Sequence, residues 1–110
     1  MGTHRLFIAT YIMASGRNGT LYTGATLDLG TRVLQHRSGV FEGFTKQHLC
    51  TRLVWFERHA WMVEAIAREK RIKHWLRDWK LALIEAENPD WLDLAADWYP
   101  ADDPRWSKSS

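Results

Sequence analysis

One cysteine, Cys50, stands in a chain of 110 residues. A lone thiol closes no internal disulfide, which favours a structural role for it and a reducing, cytoplasmic setting. Long apolar runs are also missing: the stretch from Leu6 to Ala14 is broken by Thr10 and Tyr11. It is too short to span a bilayer, and no small-residue cleavage site follows it, so neither a secreted nor a membrane-embedded protein is expected. Cys and His do not cluster at zinc spacing, which argues against a structural zinc site. No internal repeat recurs, and no linker is long enough to divide the chain. Stability must therefore come from one core. A chain of this length buries roughly two thirds of its unfolded surface, and its 45% apolar and 25% charged residues are those of an ordinary globule. One domain is expected over residues 4–99, followed by a polar, Pro-containing tail over residues 100–110.

Acidic residues are scarce in the first 80 positions, where 13 Lys or Arg face 6 Asp or Glu for a net +7; the last 30 hold 2 against 7, a net −5. The overall +2 hides this division. The larger segment suits approach to a polyanion and the end does not. Much of the positive charge lies in Arg68, Lys70, Arg71, Lys73, Arg77 and Lys80. A run of this kind is more often a solvated helix face than a nucleic-acid footprint, so it needs support from its surroundings.

The pattern predicts alternating strands and helices, an α/β (α+β) chain. Phe7 to Met13 is aromatic and β-branched and ends at Ser15-Gly16-Arg17-Asn18-Gly19, whose Asn-Gly signals a reversal. Leu21 to Ala25 reads as the returning strand. Thr26 or Asp28 is a candidate N-cap for a helix running to about Arg37, with Leu29, Val33 and Leu34 at helical spacing and Ser38-Gly39 closing it. Residues 40–50 read as a surface loop. Arg52 to Glu57 is a third strand, and its continuous apolar run suggests a central one. The expected sheet is small, three-stranded and antiparallel or mixed, built near residues 7–14, 20–25 and 52–58. Helical patterning follows from Ala60 to about Trp75 and from Leu76 to Glu87, the two segments read as separate or contiguous. Asn88-Pro89 stops the second, and Asp90 to Trp98 reads as a last short helix.

Certain polar side chains in these elements fall at spacings that packing alone does not explain. Arg32 and His36 are four apart, on one helix face beside the stripe of Leu29 and Val33. An Arg there offers a planar fork to a phosphate, and a His offers a donor or acceptor near neutral pH. Taken alone, the pair is more simply a solvated flank. Glu69 falls inside the stripe formed by Ala65, Ile66, Ile72 and Leu76, where a carboxylate must be paired, neutralised or metal-bound. A salt bridge to a nearby cation is the plain alternative. Tyr11 and Tyr22 lie on neighbouring strands of the expected hairpin, so their hydroxyls can converge on one water. Gly24, just after Tyr22, allows a close approach of backbone or phosphate.

These residues, in this order, resemble the GIY-YIG endonuclease domain, and in particular its small stand-alone members. The first signature, Gly-Ile-Tyr in the family, reads Ala9-Thr10-Tyr11 here; the second, Tyr-Ile-Gly, reads Tyr22-Thr23-Gly24. Both tyrosines and the second glycine are kept, and the altered positions are expected to serve packing. The likeness runs over about residues 5–95. It implies a metal-dependent endonuclease that hydrolyses DNA phosphodiester bonds, in repair or in the processing of nicked or branched DNA. Tyr11, Tyr22, Arg32, His36 and Glu69 would be catalytic, and Glu69 would be the one protein ligand of Mg²⁺ or Mn²⁺. Contacts to DNA are expected from Gly24, Lys46, Arg68, Lys70, Arg71 and Lys73. Asn88 is matched to an Asn that family members carry beyond the metal helix, although helix-stopping explains it equally well. An appended recognition domain is absent from this sequence, so the resemblance implies no sequence specificity.

The seven Trp leave an alternative open. Trp75, Trp79, Trp91 and Trp98 are better suited to core and helix packing than to stacking on single-stranded bases. The alternative function is a nucleic-acid-binding module without efficient cleavage, or an interaction module whose Trp-rich end docks a protein that supplies targeting.

Overall fold

Two strands and a reversal begin the fold. A computed structural model of the protein describes residues 6–38 and 50–99. Ala9–Ala14 forms β1 and Leu21–Thr26 forms β2, paired antiparallel from Ala9 opposite Thr26 to Ala14 opposite Leu21. The reversal between them is a six-residue loop rather than a two-residue turn. Ser15 and Thr20 close it with a backbone bond of 3.0 Å and a bond from the Thr20 amide to the Ser15 hydroxyl. Asn18 takes φ 57° inside it, the left-handed conformation that Asn tolerates better than most residues.

Leu29–Ser38 forms helix α1. Its cap is Asp28, which accepts from the Thr31 amide at 3.1 Å and from the Thr31 hydroxyl at 2.7 Å. Thr26 supports that cap from the end of β2, its hydroxyl receiving the Asp28 amide. Arg52–Arg58 forms β3, which pairs antiparallel with β1 and gives the sheet order β2-β1-β3. The central strand is therefore β1, and the expectation that residues 52–57 lie in the middle is corrected. Every residue of β1 is buried. The apolar run of β3 has another cause, since both of its faces are covered although it lies at the sheet edge. Register shifts between Ile12 and Met13, which face Trp55 and Leu53, so Val54 is bulged out.

Alternation sends Ala9, Tyr11 and Met13 to one face, packed with Leu29 and Val33 of α1, Cys50, Leu53 and Ala95. Ile12 and Ala14 go to the other with Val54, Trp55, Ile72, Ile84 and Trp91. The second face is covered by α2 (Met62–Lys73) and α3 (Arg77–Glu87). These are two helices, not one. His74 receives the end of α2, its amide bonding to Arg71 O and its ring Nδ1 lying 2.8 Å from Lys70 O, and Leu76 is extended at ψ 153°. The buried stripe of α2 is narrower than expected: Ala65 and Ile72 are covered, whereas Ile66 is 37% exposed, and Leu76 falls beyond the helix and is 67% exposed.

The segment after α3 does not form the expected helix over residues 90–98. Trp91 takes φ 57°, Asn88 holds Leu92 through both backbone groups, and turns follow. This segment crosses the outer edge of β3, where Leu94 N donates to Leu53 O at 2.8 Å and Asp93 accepts from Leu53 N. It thereby covers an otherwise open strand edge, and the Arg37–Asp93 ion pair ties it to α1. No helix among the described residues is long and apolar enough to cross a membrane. The expected loop over residues 40–49 and the tail over residues 100–110 lie outside the described residues.

Candidate active site

Tyr11 sits in the middle of the central strand and is wholly buried. Its ring lies over Gly24, the residue opposite it on β2, where an added Cβ would fall 2.5 Å from the hydroxyl oxygen and 2.6 Å from Cζ. Gly24 thus makes room for the ring. From α1, His36 brings Nε2 to 2.9 Å from the Tyr11 hydroxyl, and Tyr22 completes a cluster of three rings. Ring centroids are 6.3 Å apart for Tyr11 and Tyr22, 5.6 Å for Tyr11 and His36, and 5.0 Å for Tyr22 and His36.

Arg32, one turn before His36, brings its positive charge to bear on the Tyr11 hydroxyl. The phenol and His36 Nε2 share one hydrogen bond, in which the phenol donates when the neutral imidazole carries its hydrogen on Nδ1. Burial pushes Tyr11 well above the ordinary tyrosine value, and the neighbouring Tyr22 and Glu69 act in the same direction while Arg32 opposes them. Burial and the positive Arg32 push His36 down to about 4. At neutral pH the pair is therefore uncharged, a phenol and an imidazole.

Glu69 enters from α2, between buried Ala65 and Ile72, with 20% of its side chain exposed. Its carboxylate pairs with Lys73 Nζ at 2.7 Å, one turn along the helix, and its charge acts on Tyr11. The structure thus brings Tyr11, Tyr22, Arg32, His36 and Glu69 into one electrostatic neighbourhood. A cationic fork, two phenols, a neutral imidazole and a carboxylate are the groups that phosphodiester hydrolysis uses for phosphate binding, proton handling and charge neutralisation.

The residues expected to contact DNA are dispersed. Lys70 and Arg71 are exposed on α2. Arg68 donates to Glu57 at 2.9 Å and lies over Trp55 and Trp75, and Lys73 belongs to Glu69. Asn88 is buried at the end of α3, and both amide hydrogens go to carbonyls, of Val54 and Leu92. Lys46 lies outside the described residues. Trp91 is fully buried, in line with a packing role, whereas Trp79 is exposed.

Sequence reasoning missed a second polar cluster on the opposite face of the sheet. Thr10, where the family signature has Ile, is buried, donates to Ala65 O at 2.9 Å and meets His59 Nε2 at 3.1 Å. His59 and Arg68 both reach Glu57. Thr10 does more than fill space: it fastens α2 to the central strand. The one signal in the sequence was a hydroxyl amid apolar neighbours. Cys50 is a buried thiol, pushed up by burial, 3.6 Å from Thr20 O, which suits a structural role.

The GIY-YIG catalytic domain family matches residues 7–82. The chain belongs to the GIY-YIG family. Two staphylococcal relatives carry the name UPF0213 protein, which states no activity. One from Staphylococcus epidermidis is 37% identical over 68 residues, and one from Staphylococcus aureus strain Mu50 is 38% identical over 68 residues. Each match covers 62% of this chain and 83% of the relative. Among solved structures, the GIY-YIG protein described here is similar to the solution NMR structure of a UPF0213 protein from Bacillus halodurans. That match has a TM-score of 0.50 and 26% identity and covers 84% of this chain and 98% of that one. The three-stranded α+β architecture is thus shared with a solved relative.

Proposed function

We propose that this GIY-YIG protein is a divalent-metal-dependent endonuclease that hydrolyses DNA phosphodiester bonds. The observation that carries the reading is the Tyr11 hydroxyl bonded to His36, with Tyr22 against the same imidazole and the charges of Arg32 and Glu69 both acting on that hydroxyl. A binding module needs the cation and has no use for a buried phenol–imidazole pair beside a carboxylate.

Each residue has a separate task. Arg32 donates to the non-bridging phosphate oxygens, where its charge is worth most as negative charge builds in the transition state. Tyr11, kept protonated by burial, orients rather than abstracts: its hydroxyl is bonded to His36 and lies under the charge of Arg32. Tyr22, half-buried on the edge strand, is assigned as the general base: as its phenolate, its own proton given up to solvent, it takes the proton of the attacking water. His36 stays neutral and holds both rings in place.

Glu69 fits a hydrated hard cation. It offers one oxygen-donor carboxylate, mostly buried, whose present partner is a half-exposed lysine on a flexible stem. Among the described residues no group of three or more His, Cys, Asp or Glu is placed to hold a metal, so a site here relies on Glu69 with water and phosphate oxygens. Mg²⁺ or Mn²⁺ held by Glu69 would act as a Lewis acid, neutralising charge on the phosphate and leaving group.

Incubation of the purified protein with supercoiled, nicked, branched, linear and single-stranded DNA, with Mg²⁺, with Mn²⁺ and with chelator, tests the reading. Strand scission that requires the metal and is lost in Arg32→Ala is expected, and the preferred DNA form would indicate whether the setting is repair or branch processing. Binding without scission of any form would favour the binding-module alternative.

A further inference from the structure

Beside Arg32 lies a cleft of about 230 Å³ between the start of α1 and the start of α2. Its polar wall is made by Asp28, Arg32 and Gln35, and its apolar wall by Leu27 and Met62. The Asp28 carboxylate is turned onto Thr31, so the acid is occupied in capping α1. The next residue from Met62 is Trp61, at the N-cap position of α2 in an extended conformation (φ −133°, ψ 144°), whose side chain makes no capping bond and is 66% exposed. Leu27 is 65% exposed. Trp61 therefore leaves a large indole in water one residue along the chain from the cleft wall at Met62, whereas Trp91 and Trp55 are buried. The chemistry of the two walls is that of a nucleotide: a guanidinium for the phosphate, an amide for a base edge and flat apolar surface for the base.

We propose that this cleft receives an unstacked nucleotide flanking the scissile phosphate, its base lying against Trp61 with Leu27 and Met62 beside it. The assignment rests on Arg32 as the phosphate donor of the proposed nuclease. It extends that reading to the substrate class, which becomes DNA in which the base next to the target phosphate is single-stranded or easily freed. A fully paired end keeps its bases stacked on one another and offers the indole nothing without payment of the unstacking energy. Continuity with the Arg32 wall favours nucleic acid over a protein partner for this apolar surface.

Binding measured in chelator separates this proposal from cleavage. A short single-stranded oligodeoxynucleotide and the same sequence annealed into a blunt duplex are titrated with the parent protein, Trp61→Ala and Trp61→Phe. Loss of one stacking contact lowers single-strand affinity on the order of ten-fold. The ratio of single-strand to duplex affinity should therefore drop about ten-fold in Trp61→Ala, with Trp61→Phe in between. A ratio unchanged in both variants overturns the proposal, even where the parent cleaves DNA. A lowered ratio in a protein that cleaves nothing supports the stacking site and rejects only the nuclease reading.

Discussion

Gly24→Ala is a small change with a large expected effect. Gly24 does not have a left-handed φ, so alanine meets no backbone strain there, and the cost is steric. The new Cβ would lie 2.5 Å from the Tyr11 hydroxyl oxygen, 2.6 Å from Cζ and 2.9 Å from Cε1. Ordinary contacts begin near about 3.5 Å, so the ring must withdraw by about 1 Å. It has no free space, being fully buried with Leu29 and Val33 in the same cluster. Overpacking of this kind costs about 1–3 kcal/mol, which for a domain of this size lowers Tm by roughly 4–15 °C. The same displacement pulls the hydroxyl off His36, 2.9 Å away. Thermal unfolding followed by circular dichroism reads the stability, and the His36 ring resonances read the displacement. In a Tyr11→Leu background the extra methyl has room, so Gly24→Ala should cost at least about 0.5 kcal/mol less there than in the parent. A Gly24→Ala protein as stable as the parent, or equal costs in the two backgrounds, would refute the reasoning.

Three other outcomes follow from the geometry. His36 is held neutral when folded, at about 4 against an ordinary 6.5. The unfolded chain therefore takes up this proton first as pH falls, and stability is full above pH 6.5 and declines by on the order of 3 kcal/mol towards pH 4. Denaturant titrations across that window should show a shallower decline in His36→Gln than in the parent, and parallel curves would dismiss the assignment. Arg32→Ala removes a charged donor and should cut the rate of strand scission by roughly 10²–10³, read in single-turnover kinetics under saturating metal. Lys70→Gln with Arg71→Gln removes two exposed charges from α2. If both meet phosphates, the slope of log affinity against log salt should fall by about two, and an unchanged slope would place DNA on another face.

The hairpin, the capped helix and the third strand were legible because each carries its own local signal: an Asn-Gly reversal, Asp28 before a helical stripe, and a β-branched aromatic run. Sheet order was not. Continuous apolarity in β3 reports cover on two faces, and an edge strand wrapped by residues 88–99 has that cover as surely as a central one. The wrap itself imitates a helix in sequence, because Trp91, Leu92, Leu94 and Ala95 have helical spacing. Its shape depends on a left-handed Trp91 and on bonds from Asn88 and Asp93 to distant residues, which no local window contains. The candidate site was legible as a set of residue types in order. Its electrostatics were not, because the protonated Tyr11 and the neutral His36 arise from burial where α1 packs on the sheet. The pairing of Glu69 with Lys73 was open to either reading of that carboxylate, and it places the acid on a partner that a cation can replace.

Glu69→Gln tests the central claim most directly. The substitution keeps the shape and removes the charge that would hold a cation, so fold and DNA affinity in chelator should match the parent while metal-dependent strand scission falls by at least about 10²-fold at low Mg²⁺. Raising Mg²⁺ should restore some of the rate to Glu69→Gln and none to Arg32→Ala, because only the first is deficient in metal binding. A Glu69→Gln protein that is less stable but cleaves like the parent at low Mg²⁺ would contradict the account and leave Glu69 as the salt-bridge partner of Lys73.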